Sequence, residues 1–234
     1  MTAAPGLADN LVETLRAALQ PHGLFLRGTV NFALGEVAPL LGGGEPAASV
    51  VLIGNIGGSI WEPFVRWRES EPDGGGRDPL DNWSKRMIGP VAEVVGATAY
   101  FPSDPPWQPF QQWAMRAEGL KPSPLGILIH PRYGLWHGYR GALGFDRALP
   151  ATGKAAAGHP CEVCEEKRCI STCPADALAL GMFDVGRCRV HLRSGVGASG
   201  CVAQGCLSRD ACPVGRDYRY PVKQLSFHMA ALSL

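Results

Sequence analysis

All eight cysteines of this 234-residue chain fall between positions 161 and 212, and the first 160 residues contain none. The first run is Cys161-x2-Cys164-x4-Cys169-x3-Cys173-Pro174. The second is Cys188, then Cys201-x4-Cys206-x5-Cys212-Pro213. Thiols gathered this densely must either cross-link the chain or ligate something, and either outcome dictates how the last third folds. The N-terminal stretch MTAAPGLADNLVETLRAALQ lacks the cationic flank and apolar run of a secretory signal, so a cytoplasmic location is expected. In a reducing compartment a cysteine group points to metal or redox chemistry and away from disulfides.

The spacing narrows the chemistry further. A two-cluster ferredoxin run reads C-x2-C-x2-C-x3-C-P, with the fourth cysteine of each run ligating the other cluster. A cubane needs four thiolates. A tight loop supplies three of them, and the proline that follows turns the chain away toward the second site. On that rule Cys161, Cys164, Cys169 and Cys212 would hold one 4Fe–4S cluster. Cys173, Cys188, Cys201 and Cys206 would hold the other. The gaps before Cys169, Cys206 and Cys212 are longer than in the simple pattern, which implies bulged loops. Two zinc sites of four cysteines each are the rival reading. Zinc ribbons pair two C-x2-C knuckles, however, and only one is present here, whereas both runs end in Cys-Pro. Arg168, Arg187, Arg189, His191 and Arg193 lie among the ligands, as solvated surface or as charge that offsets anionic clusters.

The small-residue stretch 151–160, ATGKAAAGHP, marks the expected domain boundary. Residues 1–155 form the expected first domain, 156–215 a ferredoxin-like domain, and 216–234 a tail helix packing back on the first domain. With 46% apolar residues a buried core is expected, and 22 basic against 21 acidic residues argue against a nucleic-acid partner. No run approaches the length of a membrane span. A helix capped near Asp9 or Asn10 puts Leu11, Leu15 and Leu19 on one face. SVVLIG (49–54), ATAYFPS (97–103) and GILIHP (126–131) read as strands. Residues 60–70, 80–96 (broken near Pro90) and 109–119 read as helices. This mixture predicts a sheet domain with flanking helices, α+β or α/β in class. The tail carries Val222, Leu225, Met229 and Leu232 at helical spacing, with His228 as a structural residue.

Two places outside the cysteines carry candidate chemistry. The loop Gly54-Asn55-Ile56-Gly57-Gly58-Ser59 joins a strand to a helix, where backbone N–H groups around Gly57 and Gly58 would cradle a phosphate or act as a plain turn. The segment His130-Pro131-Arg132-Tyr133-Gly134-Leu135-Trp136-His137 offers Arg132 and Tyr133 as donors to a cofactor and Trp136 as a flat apolar wall, or else ordinary packing.

The strand leading into IHPRYG, followed by an eight-cysteine domain, resembles the cobalamin-dependent epoxyqueuosine reductases. The segment RAEGLKPSPLGILIHPRYGLWHGYRGAL is also similar to cobalamin-processing proteins that remove the cofactor's upper ligand. The likeness spans residues 95–215. It implies an N-terminal flavin-reductase/nitroreductase-like sheet domain that binds cobalamin, joined to a ferredoxin-like module with two 4Fe–4S clusters. It also implies a cofactor site including Gly57, Gly58, Arg132, Tyr133, Gly134 and Trp136. Asp104 precedes Arg116-Ala117-Glu118-Gly119-Leu120 at the distance that separates the reductases' acidic proton donor from their R-A-G-L-G segment. That implies a proton-donor role, provided that burial raises its pKa. The reductases' G-W-I-G-K-N segment is replaced by Lys121-Pro122-Ser123-Pro124-Leu125-Gly126, and their C-terminal helical repeats have no counterpart. The epoxyqueuosine reaction itself is therefore not expected. The expected function is an iron–sulfur oxidoreductase whose clusters deliver electrons to a corrinoid or another small molecule, supplied by a redox partner protein. The alternative is a non-catalytic electron carrier with a partner-docking domain.

Overall fold

The computed structural model describes residues 7–153 and 158–233, so the expected boundary at 155/156 lies outside the described residues. Two compact units emerge, Met1–Gly119 with Gly138–Ala155, and Leu120–His137 with Ala156–Leu234. The segment Leu120–His137, which the sequence reading assigned to the first domain, thus belongs with the cysteines. Each unit is described by itself.

The first unit is a four-stranded sheet with helices. Its strands are β1 (Phe25–Asn31), β2 (Ser49–Ile56), β3 (Thr98–Tyr100) and β4 (His137–Phe145), in the order β1–β2–β4–β3. The β1–β2 and β3–β4 pairs are antiparallel. Seven of the eight residues of β2 are buried, as expected of a short continuous apolar run in the middle of a sheet. The helices are α1 (Leu7–Leu19), α2 (Trp61–Ser70), α3 (Pro79–Val95) and α4 (Phe110–Glu118). Helix α1 begins before the expected cap and buries Val12, Leu15 and Leu19. Helix α3 runs through Pro90 without ending there. The ring removes one N–H donor, but the helix still buries Trp83, Ser84, Ile88 and Ala92 and ends on Gly96 in the left-handed conformation.

Strand β1 went unread in the sequence, because Arg27 and Gly28 interrupt its apolar pattern. Arg27 is only 3% exposed. Its guanidinium donates to Glu118 at 2.9 Å and to the Asn55 carbonyl at 3.0 Å. The Tyr139 hydroxyl donates to the other Glu118 oxygen at 2.8 Å. Burial, followed by the Glu118 charge, pushes the Tyr139 phenol far up, so it remains a donor. This network ties β1, β2, β4 and α4 together.

The second unit is built from short elements: α5 (Arg168–Ser171), α6 (Val185–Leu192), α7 (Leu207–Asp210) and α8 (Val222–Ser233). Two two-residue strand pairs join them, Lys121–Pro122 with Leu128–Ile129 and Leu178–Ala179 with Met182–Phe183. The expected strand 126–131 shrinks to Leu128–Ile129. Helix α8 packs within this unit, where the sequence reading placed it against the first domain. Leu225 joins Trp136 and Tyr220, and Met229 joins Leu192 and Cys201. No helix among the described residues is long and apolar enough to cross a membrane.

Removing one partner of a buried ion pair strands the other as an uncompensated charge. Glu118→Leu should therefore lower the unfolding free energy by about 3–5 kcal/mol. Denaturant titration reads this directly, and an unmoved midpoint would remove the pair from the framework of the first unit.

Candidate functional site

The cysteines divide into two groups of four. The Cys161 thiol is pushed up to about 11, first by burial and then by Cys212, Cys169 and Cys164 beside it. The Cys188 thiol is likewise pushed up to about 11, by burial and then by Cys206, Cys173 and Cys201. A cavity is lined by Cys161, Cys164, Cys169 and Cys212 together with Ile129, Lys167 and Val214. The eight are free thiols. Among the described residues, no three His, Cys, Asp or Glu side chains converge closely enough to hold a single metal ion.

Two apolar cores support the groups, and Cys206 touches both. Leu125, Ile129, Leu135 and Leu178 back Cys161, Cys169 and Cys212, and they also touch Cys173 and Cys206. Leu192, Cys201 and Met229 form a second core against which Cys188 and Cys206 pack. Backbone donors reach several sulfurs. Burial raises the Cys206 thiol, while the N–H groups of Arg209 and Ser208 favour its thiolate. The Val214 N–H does the same for Cys212. Lys167, whose φ is +41°, donates from Nζ to the carbonyls of Cys161 and Cys164, at 2.8 Å each.

Of the cations that the sequence placed among the ligands, Arg168 pairs with Glu166. Arg187 donates to the Asp176 carbonyl at 3.0 Å, and Arg189 favours the Cys188 thiolate from an exposed position. Arg209 was missed. Its side chain lies against Trp136 and Tyr220, far from it in sequence, so no local pattern marks it.

The segment 130–137 is a tight turn. His130 and Gly134 exchange backbone hydrogen bonds of 2.9 and 2.8 Å. His130 Nδ1 accepts from the N–H groups of Arg132 and Tyr133 at 3.0 and 3.2 Å. Arg132 is exposed, and its Nε donates to the Tyr218 hydroxyl at 2.7 Å. Tyr133 stacks on His130 at 4.1 Å and meets Tyr218 edge-on at 4.9 Å. Trp136, expected as an open wall, is 1% exposed, with the Arg209 guanidinium 4.5 Å over its ring and Tyr220 edge-on at 5.6 Å.

The remaining predicted residues lie in the first unit. Gly57 and Gly58 form the turn between β2 and α2. Asn55 donates to the Gly57 carbonyl, and the N–H groups of Ile56, Ser59 and Trp61 are bonded within the loop. Asp104 is half exposed, its side chain at 40%, and pairs with Lys85 at 2.5 Å. The burial that a proton-donor role calls for is not what surrounds it. It borders a 560 Å³ cleft that Tyr100, Phe101 and the Pro105–Pro106 pair also line.

No protein-family model and no curated protein matches the chain. Among solved structures it is similar to the C. elegans B12-trafficking protein CblC, a human MMACHC homologue. That alignment has a TM-score of 0.54 and 15% identity, over 97% of this chain and 95% of that one. It is also similar to an epoxyqueuosine reductase bound to an epoxyqueuosine-modified tRNA stem loop. There the TM-score is 0.48 and the identity 11%, over 75% of this chain and 51% of that one. The fold is of the CblC kind, mixed α+β with an antiparallel-paired sheet and helices.

Gly134 holds the 130–137 turn to the segment after Cys212. Its φ is +58°, and a Cβ there would lie 1.9 Å from the Val214 carbonyl oxygen. Gly134→Ala should cost about 1–3 kcal/mol locally through backbone strain alone. Hydrogen exchange should speed up at 130–136 and at 214–216 together, and unchanged protection would mean that the contact does not hold the turn.

Proposed function

We propose that this chain is an iron–sulfur oxidoreductase that handles a corrinoid or another small molecule. The observation that carries this is the division of eight buried or half-buried thiols into two sets of four, packed against two apolar cores that share Cys206. Cys161, Cys164, Cys169 and Cys212 would hold one 4Fe–4S cluster, and Cys173, Cys188, Cys201 and Cys206 the other. The donor set fits: four thiolates per site, N–H donors on Cys206 and Cys212, and cations beside both sets. An eight-atom cage also keeps its thiolates farther apart than one zinc ion, whose sulfurs sit about 2.3 Å from the metal. Sets of four cysteines that do not converge on a single ion are therefore compatible with it. Clusters bound there would supply low-potential one-electron transfer.

The protein's own contribution is to exclude water with Leu125, Ile129, Leu135 and Leu178, and to carry positive charge to otherwise anionic sites. The corrinoid part of the proposal draws support from the CblC-like fold and from the group of exposed Arg132 with half-buried Tyr133 and Tyr218. Its guanidinium and phenols match the amide-rich rim of a corrin. Within the first unit by itself, Gly57 and Gly58 would offer backbone N–H groups to a ligand, and Asp104 a carboxyl beside its cleft. A corrinoid would supply the metal-centred redox chemistry, with electrons arriving from a partner protein.

Anaerobic reconstitution should load about eight iron and eight sulfide per chain, and stoichiometric zinc without sulfide would sink the iron–sulfur reading. Paramagnetic resonance of loaded variants checks the sets. Cys173→Ser should damage the same signal as Cys188→Ser, and Cys212→Ser the same signal as Cys161→Ser. The opposite pairing would overturn the assignment.

Titrating cob(II)alamin into the protein should shift its absorption toward the form with the lower base displaced. Arg132→Ala should weaken that shift about tenfold or more, the equivalent of about 1.4 kcal/mol. No spectral change at micromolar concentrations would leave the chain as an electron carrier without a corrinoid.

A further inference from the structure

Arg209 follows Cys206 by three residues on α7, and its side chain is held in an unusual way. The guanidinium carbon lies 4.5 Å over the Trp136 ring and 4.7 Å over the Tyr220 ring. One terminal nitrogen donates to the Leu135 carbonyl. Its Nε is buried without a hydrogen-bond partner among the described residues. The slot is firm, because Trp136, Tyr220 and Leu225 form one buried cluster at 1%, 6% and 3% exposure. The neighbouring carboxylate, Asp210, is taken by Arg219 at 2.5 Å. Among the described residues no carboxylate pairs with Arg209 itself. Its backbone N–H donates to Cys206, the N-cap of the same short helix, and Leu135, whose carbonyl the guanidinium binds, belongs to the core against which Cys206 packs.

Other cations near the cysteines are placed differently. Arg189, beside Cys188, and Arg216, beside Cys212, are exposed, so water screens them. Lys167, near the first set, is engaged by two carbonyls. A guanidinium between two aromatic faces keeps its charge while losing much of its water, and its planar shape suits such a slot better than an ammonium does. Its field then acts on Cys206 through a poorer dielectric than water.

We propose that Arg209 is a positioning cation for the second four-cysteine set, clamped by Trp136 and Tyr220 so that fixed positive charge stands beside Cys206 and makes the group held there easier to reduce. The inference rests on the iron–sulfur reading of that set. It concerns one set only, since nothing comparable is clamped beside Cys161, Cys164 or Cys169 among the described residues. It also gives Trp136 a use: the ring is one wall of the clamp.

The test is a redox titration of the reconstituted full-length chain, followed by paramagnetic resonance. Arg209→Met should lower the midpoint of one of the two signals, the one that Cys173→Ser removes, and leave the other in place. Arg209→Lys, which keeps the charge but fits the slot less well, should recover part of the shift. An unmoved midpoint, equal movement of both signals, or a lysine variant that behaves like methionine would overturn the inference. If Arg209→Met fails to load, Tyr220→Leu decides. It leaves the charge but removes one wall, and should lower the same midpoint by a smaller amount; no change there overturns the inference. A wild-type chain that takes up no iron and sulfide overturns the iron–sulfur reading, and this inference with it. A loaded wild type with an insensitive Arg209→Met variant overturns this inference alone.

Discussion

Bringing Cys212 back beside Cys161, Cys164 and Cys169 is the constraint on which the second unit depends. It closes the cysteine segment on itself, and of the chain between Cys173 and Cys206, Leu178 joins the first core while Leu192 and Cys201 build a second. Met229 completes that second core. The same closure carries Val214 and Gly215 against Tyr133 and Gly134, where neither glycine leaves space for a side chain. Short helices and two-residue strand pairs bury too little apolar surface to fix such a path by themselves. Burial first, and then the crowding of neighbouring cysteines, raises the Cys161 and Cys188 thiols. A ligand that binds four thiolates would supply folding free energy to this unit, as structural metals do in small domains.

How legible this was depends on whether the cause was local. Helices α2, α3 and α4 and strand β2 announce themselves because each satisfies its own periodicity with neighbours a few residues away. The two cysteine sets were legible because spacing and the trailing prolines encode a geometric requirement. Strand β1 was not, because what buries Arg27 is Glu118, 91 residues away. A chain read locally sees only a charge in an apolar run. The membership of Leu120–His137 was hidden for a related reason. A contiguous reading divides the chain at its loosest stretch, whereas this segment leaves the sheet unit between α4 and β4 and packs with the cysteines.

The polar–aromatic segment shows the same lesson at a site. Read in sequence, Arg132, Tyr133 and Trp136 form one ligand surface. In the structure they separate by depth. Arg132 and Tyr133 stay near the surface with Tyr218, while Trp136 turns inward to Arg209 and Tyr220. One tight turn thus serves two purposes, presenting donors outward and supporting the cysteine unit inward. Asp104 is the converse case. Its placement at a cleft agrees with a functional position, but Lys85 at 2.5 Å and its half exposure give it the setting of a surface ion pair.

Two sets built from the same ligand type need not be equivalent, and their surroundings already differ. The first set has a lysine engaged by carbonyls and an exposed Arg216, with charge spread toward water. The second has one exposed arginine and one arginine between two rings. Because a Coulomb interaction falls in proportion to the dielectric around it, a partly desolvated charge acts more strongly than an exposed one at the same distance. Breaking the equivalence of the two sets therefore takes a single side chain, provided that side chain cannot swing away. That proviso is met by packing: Leu225 from α8 closes the Trp136–Tyr220 cluster. The tail helix, whose sequence suggested only an apolar face, thereby connects the folding of the C-terminus to the electrostatics of Cys206.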